Sequence, residues 1–199
     1  MGRRSLYVQC DISKSSDVEH LFEKTLETFG KVDILVNNAG GSHGGCAVVD
    51  LPEESWIRTY DVNMKGTFLC SKAAAADMIK HKTGKIVNIS SAVGKIGTGR
   101  SSAYSSAKAA VNAFTHALAR ELAVYNVNVN CICPGAILSE SRKTRGDEKV
   151  DRGGWFGRPM IPPFGWGTPE DIANVVAFLV SNESKYISGQ SINVDGCIW

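Results

Sequence analysis

Apolar residues fall into two rhythms along this chain. Val18, Leu21, Phe22, Leu26 and Phe29 recur at three- and four-residue spacing, which places them on one face of a helix, and Gly30 supplies its stop. The next run, VDILVN (32–37), is too short for a helix and mostly apolar, the pattern of a strand covered on both faces. LYVQC (6–10), KIVNIS (85–90), VNVNCIC (127–133) and QSINVD (190–195) read as strands in the same way. Between them lie helical stretches. One opens at Pro52 and runs through Trp56 and Ile57, an Ala-rich one covers 65–81, and a long one covers 102–124. A last helix is capped by Thr168, with Pro169 at its first position and Glu170 and Asp171 in its first turn. Residues 134–167 show neither rhythm and are expected to be irregular.

Strand and helix in alternation, without internal repeat or low-complexity linker, predict one α/β domain over residues 1–199, a parallel sheet with right-handed crossovers. In such sheets ligands bind at the carboxyl ends of the strands, where the strand order switches. The segments NNAG (37–40), SSAVG (90–94) and CPGAI (133–137) each follow a predicted strand and fall there. Asn37 itself reads as a tie between neighbouring strands.

Composition narrows the partners. The 199 residues are 43% hydrophobic, enough for a core, and the net charge is +2 with acids and bases interspersed. No basic tract points to nucleic acid and no apolar run points to a membrane, so the expected partner is a small molecule. The six cysteines lack the dense, even spacing of a disulfide framework, and Cys131-x-Cys133 is two ligands short of a zinc site, so all six are read as thiols and no metal is expected. The start, MGRRSLYVQC, has no apolar stretch of signal-peptide length, and the expected location is the cytoplasm.

The candidate chemistry begins in AYSSAKAAV (103–111). On a helix, Tyr104 and Lys108 share one face with only small residues between them. A Tyr-x-x-x-Lys string arises by chance too often to carry a function alone. Six further segments stand in order around it: CDIS (10–13), LVNNAG (35–40), DVNMKG (61–66), NISS (88–91), PGAILS (134–139) and ISGQSINVDG (187–196). With them the chain resembles the short-chain dehydrogenase/reductases over residues 7–196. Ser91 precedes Tyr104 by 13 residues, the family's Ser-to-Tyr spacing, which favours it over its neighbour Ser90.

The resemblance implies a Rossmann-like doubly wound sheet and an oxidoreductase that moves hydride between NAD or NADP and a secondary alcohol or ketone. It implies Asn63, Ser91, Tyr104 and Lys108 as the catalytic set. A carbonyl reduced by hydride needs a proton at its oxygen, and a cation beside a phenol favours the phenolate, so Lys108 would tune Tyr104 toward that exchange. Lys108 would also bond the nicotinamide ribose, Ser91 would hold the reacting oxygen, and Asn63 would support a water leading protons away. For the cofactor the resemblance implies Asp11 and Ile12 at the adenine, Asn38 at the adjoining ribose, Tyr104 and Lys108 at the nicotinamide ribose, and Ile137 and Ser139 at the nicotinamide carboxamide. Ser139 stands where the family usually has Thr, and keeps the hydroxyl. Relatives pair the 65–81 and 102–124 helices across a two-fold axis, so a homodimer or homotetramer is expected.

The family's opening strand, Gly-rich loop, helix and second strand have no counterpart in these 199 residues. The expected fold is therefore truncated at its N-terminus, with the apolar edge of VDILVN open and the pyrophosphate poorly held. The residue that selects NAD or NADP would lie in that unit. The alternative function is a non-catalytic relative acting as a subunit-binding or regulatory protein. A serine hydrolase is set aside, since Ser91 lacks a Gly-x-Ser-x-Gly elbow and His20, His43, His81 and His116 are scattered. Residues 141–167 are expected to form a lid over the substrate, lined by Trp155, Phe156, Met160 and Phe164. Arg142, Lys143 and Arg145 are offset there by Asp147, Glu148 and Asp151, the composition of a solvated face.

Overall fold

The computed structural model describes residues 3–43, 45–144 and 164–197. Helix α1 spans Ser15–Phe29 and buries Val18 and Phe22; Gly30, at φ 85°, ends it by donating its N–H to the Leu26 carbonyl at 2.8 Å. Strand β1 is Ile34–Asn37, and helix α2 is Glu53–Tyr60. A five-residue π turn, Asp61–Lys65, joins α2 directly to α3, Gly66–His81, so the two helices expected here form one continuous rod. Strand β2 is Gly84–Ile89, followed by the single turn α4, Val93–Ile96, and the long α5, Ser102–Leu122. Then come β3, Val127–Pro134, the short α6, Glu140–Thr144, helix α7, Pro169–Val180, and β4, Ser191–Val194. Thr168 and Asp171 cap α7 reciprocally, as their spacing predicts.

The described strands form one parallel sheet in the order β1-β2-β3-β4. Helices cover both faces. On one side Ile86 and Val129 pack with Val18, Phe22, Met78 and Leu118. On the other, Val87 and Ile132 pack with Leu179 of α7. This is the parallel α/β arrangement expected from the alternation of elements, Rossmann-like as the resemblance implies, and no helix among the described residues is long and apolar enough to cross a membrane.

Residues 6–10 depart from expectation. They join no sheet among the described residues, leaving Leu6 and Tyr7 exposed at 42% and 88%. A strand exists only through a neighbour's backbone. Just before the segment, the Arg4 guanidinium donates to the Thr28 carbonyl at 2.7 Å and lies over the Phe29 ring. Strand β1 is consequently an edge of the described sheet, with Ile34 and Val36 exposed at 47% and 40%. An apolar cavity of about 250 Å³ opens between Ile12, Leu21 and Phe22 on one side and β1 on the other. For the same reason the described strands contain no reversal of order.

A chain of buried amides ties the sheet to its helices. Asn37 donates through Nδ2 to Ser71 Oγ at 3.0 Å and to Asn88 Oδ1 at 2.8 Å; Asn88 donates in turn to Thr115 Oγ1 at 2.9 Å. The tie read from Asn37 in sequence is thus present. Asn88→Ala would leave one of the two Asn37 Nδ2 protons without an acceptor away from water and remove the bond to Thr115, and we expect it to cost about 2 kcal/mol in urea unfolding. A cost below about 0.5 kcal/mol would show that the network does not hold the sheet.

Candidate active site

Lys108 sits in the second turn of α5, 4% exposed, with its ammonium donating to the carbonyl of Ile89 at 2.8 Å. Ile89 is the last residue of β2, so its carbonyl is free of the sheet ladder beyond that point. Burial lowers the Lys108 pKa from the usual 10.5 to about 8; the nearby Cys131 and Cys133 thiols oppose that shift. The ammonium lies 5.7 Å from the centroid of the half-buried Tyr104 ring, one helical turn away.

Asn63 is buried completely within the π turn. Its Nδ2 donates to the Gly41 and Thr59 carbonyls at 2.7 and 2.8 Å, and its Oδ1 accepts from the Gly41 N–H at 3.1 Å. The side chain thereby clamps the loop after β1 as a neighbouring backbone would. A Cβ at Gly40 would lie 2.7 Å from Asn63 Oδ1 and 3.1 Å from Lys108 Nζ, so loop, π turn and ammonium meet at a point where only glycine fits.

Ser90 and Ser91 follow β2 and differ in what they do. Ser90 is 3% exposed and its hydroxyl donates to the Lys108 carbonyl at 2.8 Å. Ser91 is half-buried, and its Oγ accepts only a long contact, 3.4 Å, from the Val93 N–H.

The cofactor candidates are spread along the same end of the sheet. Asp11 accepts from the Ser13 hydroxyl and N–H at 2.6 and 3.1 Å, with Arg58 at 3.7 Å; the Ser13 bonds above all hold its carboxyl below the usual range. Ile12 packs where a Cβ on Gly66 would stand, beside the π turn. Asn38 is exposed just past β1, its N–H turned back to the Val36 carbonyl at 3.1 Å. Ile137 bridges to Gly167 beyond β3, and the Ser139 carbonyl accepts from Lys143 N–H at 3.0 Å. The structure therefore brings Asn63, Tyr104 and Lys108 together, sets Ser91 on the adjoining loop, and leaves Asp11 and Ser139 at the periphery. Two participants escaped sequence reasoning. The Ile89 carbonyl is backbone and leaves no signature, and Gly40 was visible only as part of NNAG. Trp155, Phe156 and Met160, expected in a lid, lie outside the described residues; Phe164 is 85% exposed. Among the described residues no group of three or more His, Cys, Asp or Glu could hold a metal.

Comparison with known proteins decides the family. A family profile described as enoyl-(acyl carrier protein) reductase matches residues 1–198. A 3-oxoacyl-[acyl-carrier-protein] reductase of Synechocystis sp. is 36% identical over 98% of this chain and 76% of its own length. The chain belongs to the short-chain dehydrogenase/reductase family. A (2S)-[(R)-hydroxy(phenyl)methyl]succinyl-CoA dehydrogenase subunit of Thauera aromatica is 40% identical over the same shares. The solved structure of ElxO with NADP bound superposes with TM-score 0.87 at 32% identity, covering 96% of this chain and 77% of that one. As a short-chain dehydrogenase/reductase, the protein is an NAD(P)-dependent oxidoreductase.

The depressed Lys108 pKa has a consequence for stability. Between pH 8 and 10.5 the unfolded chain holds the Lys108 proton more tightly than the folded one, so stability rises with pH across that window and the penalty is complete below it. The unfolding free energy of wild type minus that of Lys108→Met should climb by about 3 kcal/mol from pH 8 to 10.5. A flat difference would show that the ammonium is not desolvated.

Proposed function

We propose that this short-chain dehydrogenase/reductase interconverts a secondary alcohol and a ketone on a modest organic substrate, with NAD or NADP as hydride partner, through Asn63, Ser91, Tyr104 and Lys108. The observation that carries this reading is the buried Lys108 ammonium, seated one turn from the Tyr104 phenol and bonded to a single backbone carbonyl, Ile89. A buried ammonium has three donors, and the remaining ones suit hydroxyls such as those of a nicotinamide ribose. When bound, the nicotinamide gives or takes the hydride. The Ser91 hydroxyl holds the reacting oxygen, since Ser90 is occupied by the Lys108 carbonyl. Tyr104 exchanges the proton at that oxygen, and the Lys108 charge favours its phenolate. Asn63 backs the ammonium, its amide bound to Gly41 and Thr59, and so shapes the space through which a water relays protons. Asp11, Ile12 and Asn38 on one flank, and Ile137 and Ser139 on the other, are the residues that would hold the two ends of the dinucleotide.

Both curated relatives carry names that place the reacting group on an acyl thioester. Ketoacyl thioesters are accordingly the first arm of a substrate panel, with sugars and steroids beside them. Lys143 is paired to Glu140 at 3.4 Å, which supports a solvated face rather than an anion site there. Apolar side chains exposed on α2 and α3, Ile57 at 49% and Phe68 at 42%, support a homodimer or homotetramer, and six free thiols support a reducing cytoplasm.

Tyr104→Phe keeps the ring and removes the exchangeable proton. It should lower turnover at least about 100-fold with unchanged circular dichroism, because general acid–base groups contribute on that scale. More than about a tenth of wild-type turnover would remove Tyr104 from the role.

A further inference from the structure

The turn that carries Ser91 meets α5 most closely at the backbone of Lys108, with a further bond from the Thr98 N–H to Ser105 Oγ at 3.2 Å beyond it. Three contacts define the meeting. The Ser90 hydroxyl donates to the Lys108 carbonyl at 2.8 Å. Gly94 lies so close that a Cβ on it would stand 2.7 Å from the Lys108 carbonyl carbon and 2.9 Å from both the Ala109 nitrogen and Lys108 Cβ. Asn112, one turn further along, reaches the Gly94 carbonyl through Nδ2 at 3.4 Å, while its Oδ1 accepts from the Cys131 and Cys133 thiols at 3.2 and 3.5 Å. Within the turn, the Gly94 N–H donates to the Ser91 carbonyl at 3.0 Å, so Gly94 and Ser91 move together.

From this we infer that Gly94 and Ser90 are positioning residues for catalysis, setting how far the Ser91 hydroxyl stands from Tyr104 and Lys108. The inference rests on the reading of Ser91 given above. Helix α5 is 21 residues long and its buried Val111 packs against Cys131 and Cys133 of β3, whereas α4 is a single turn. A methyl group forced between them displaces the turn, not the helix. The atoms it meets are mostly backbone, which no rotamer change relieves. Ser91 is then carried away from Tyr104 while Lys108 and its bond to Ile89 stay in place. A displacement near 1 Å at a reacting group costs up to about 100-fold in rate.

The test compares Gly94→Ala with Gly84→Ala, whose added methyl meets Met78 at the opposite end of β2 and reports loss of stability alone. Amide exchange comes first. In Gly94→Ala the amides of residues 93–97 should exchange at least about tenfold faster at constant α5 protection, and in Gly84→Ala they should not. With saturating nicotinamide cofactor and whichever ketone of the panel the wild type reduces, ketoacyl thioesters first, Gly94→Ala should then lower kcat about 10- to 100-fold without raising the KM for cofactor. The double variant with Ser91→Ala should be no slower than Ser91→Ala alone, because the two changes remove one contact. Additive losses, unaltered exchange, or kcat within about twofold of wild type would each overturn the inference. Should Gly94→Ala not fold, Ser90→Ala carries the same comparison. Wild-type turnover in Ser91→Ala would instead refute the role of Ser91 itself, and the positioning inference with it.

Discussion

A single buried cation organises this molecule. Placing the Lys108 ammonium away from water is costly, and the fold meets that cost with one charge-assisted bond to the Ile89 carbonyl and with the Tyr104 ring at its side. Everything that converges on the site is fixed relative to that group. The end of β2 supplies its acceptor, the loop after β1 closes on it at Gly40, the π turn brings Asn63 against the same point, and the Ser90–Gly94 turn rests on its backbone. The network of Asn37, Asn88 and Thr115 then holds the two strands and α5 in the register this meeting requires.

Small residues make the approach possible, and they explain the composition of the segment around Tyr104. Ala103 and Ala107 of α5 are buried at 4% exposure or less, so no bulky side chain at these positions separates the helix from the loop that docks on it. The same compactness leaves the proposed reacting groups at the surface of a rigid body. Tyr104 and Ser91 are half-buried, where a substrate can reach them, while the groups that hold them are not.

The helices were legible because their apolar periodicity depends only on local sequence. The stop at Gly30, the cap at Thr168 and the Tyr104–Lys108 face all follow from rules that act within a few residues. The strand expected at 6–10 failed for the complementary reason: LYVQC has the right side chains, but strand formation is decided by a neighbour that may lie anywhere in the chain, and no described strand pairs with it. The joining of α2 and α3 was hidden because a π turn adds one residue to a helix without breaking its hydrophobic face, and it was read as two segments. At the site, Lys108, Tyr104 and Asn63 announced themselves as side chains in ordered motifs. The Ile89 carbonyl could not, since any residue offers the same group. Ser90 and Ser91 were separable by spacing alone, and the structure adds the physical difference: one hydroxyl is bonded into the helix and the other faces the loop.

The account stands on hydride passing between a nicotinamide and a carbonyl carbon at the site built on Lys108. The most direct measurement is the fate of deuterium from reduced nicotinamide cofactor carrying deuterium at both positions of the transferring carbon, followed by mass spectrometry of the product from a ketoacyl thioester or another ketone of the panel. The account predicts one deuterium per turnover on the carbinol carbon with wild-type protein, and loss of that product in Lys108→Met. Product without the label, or label released to water at the rate of turnover, would contradict it.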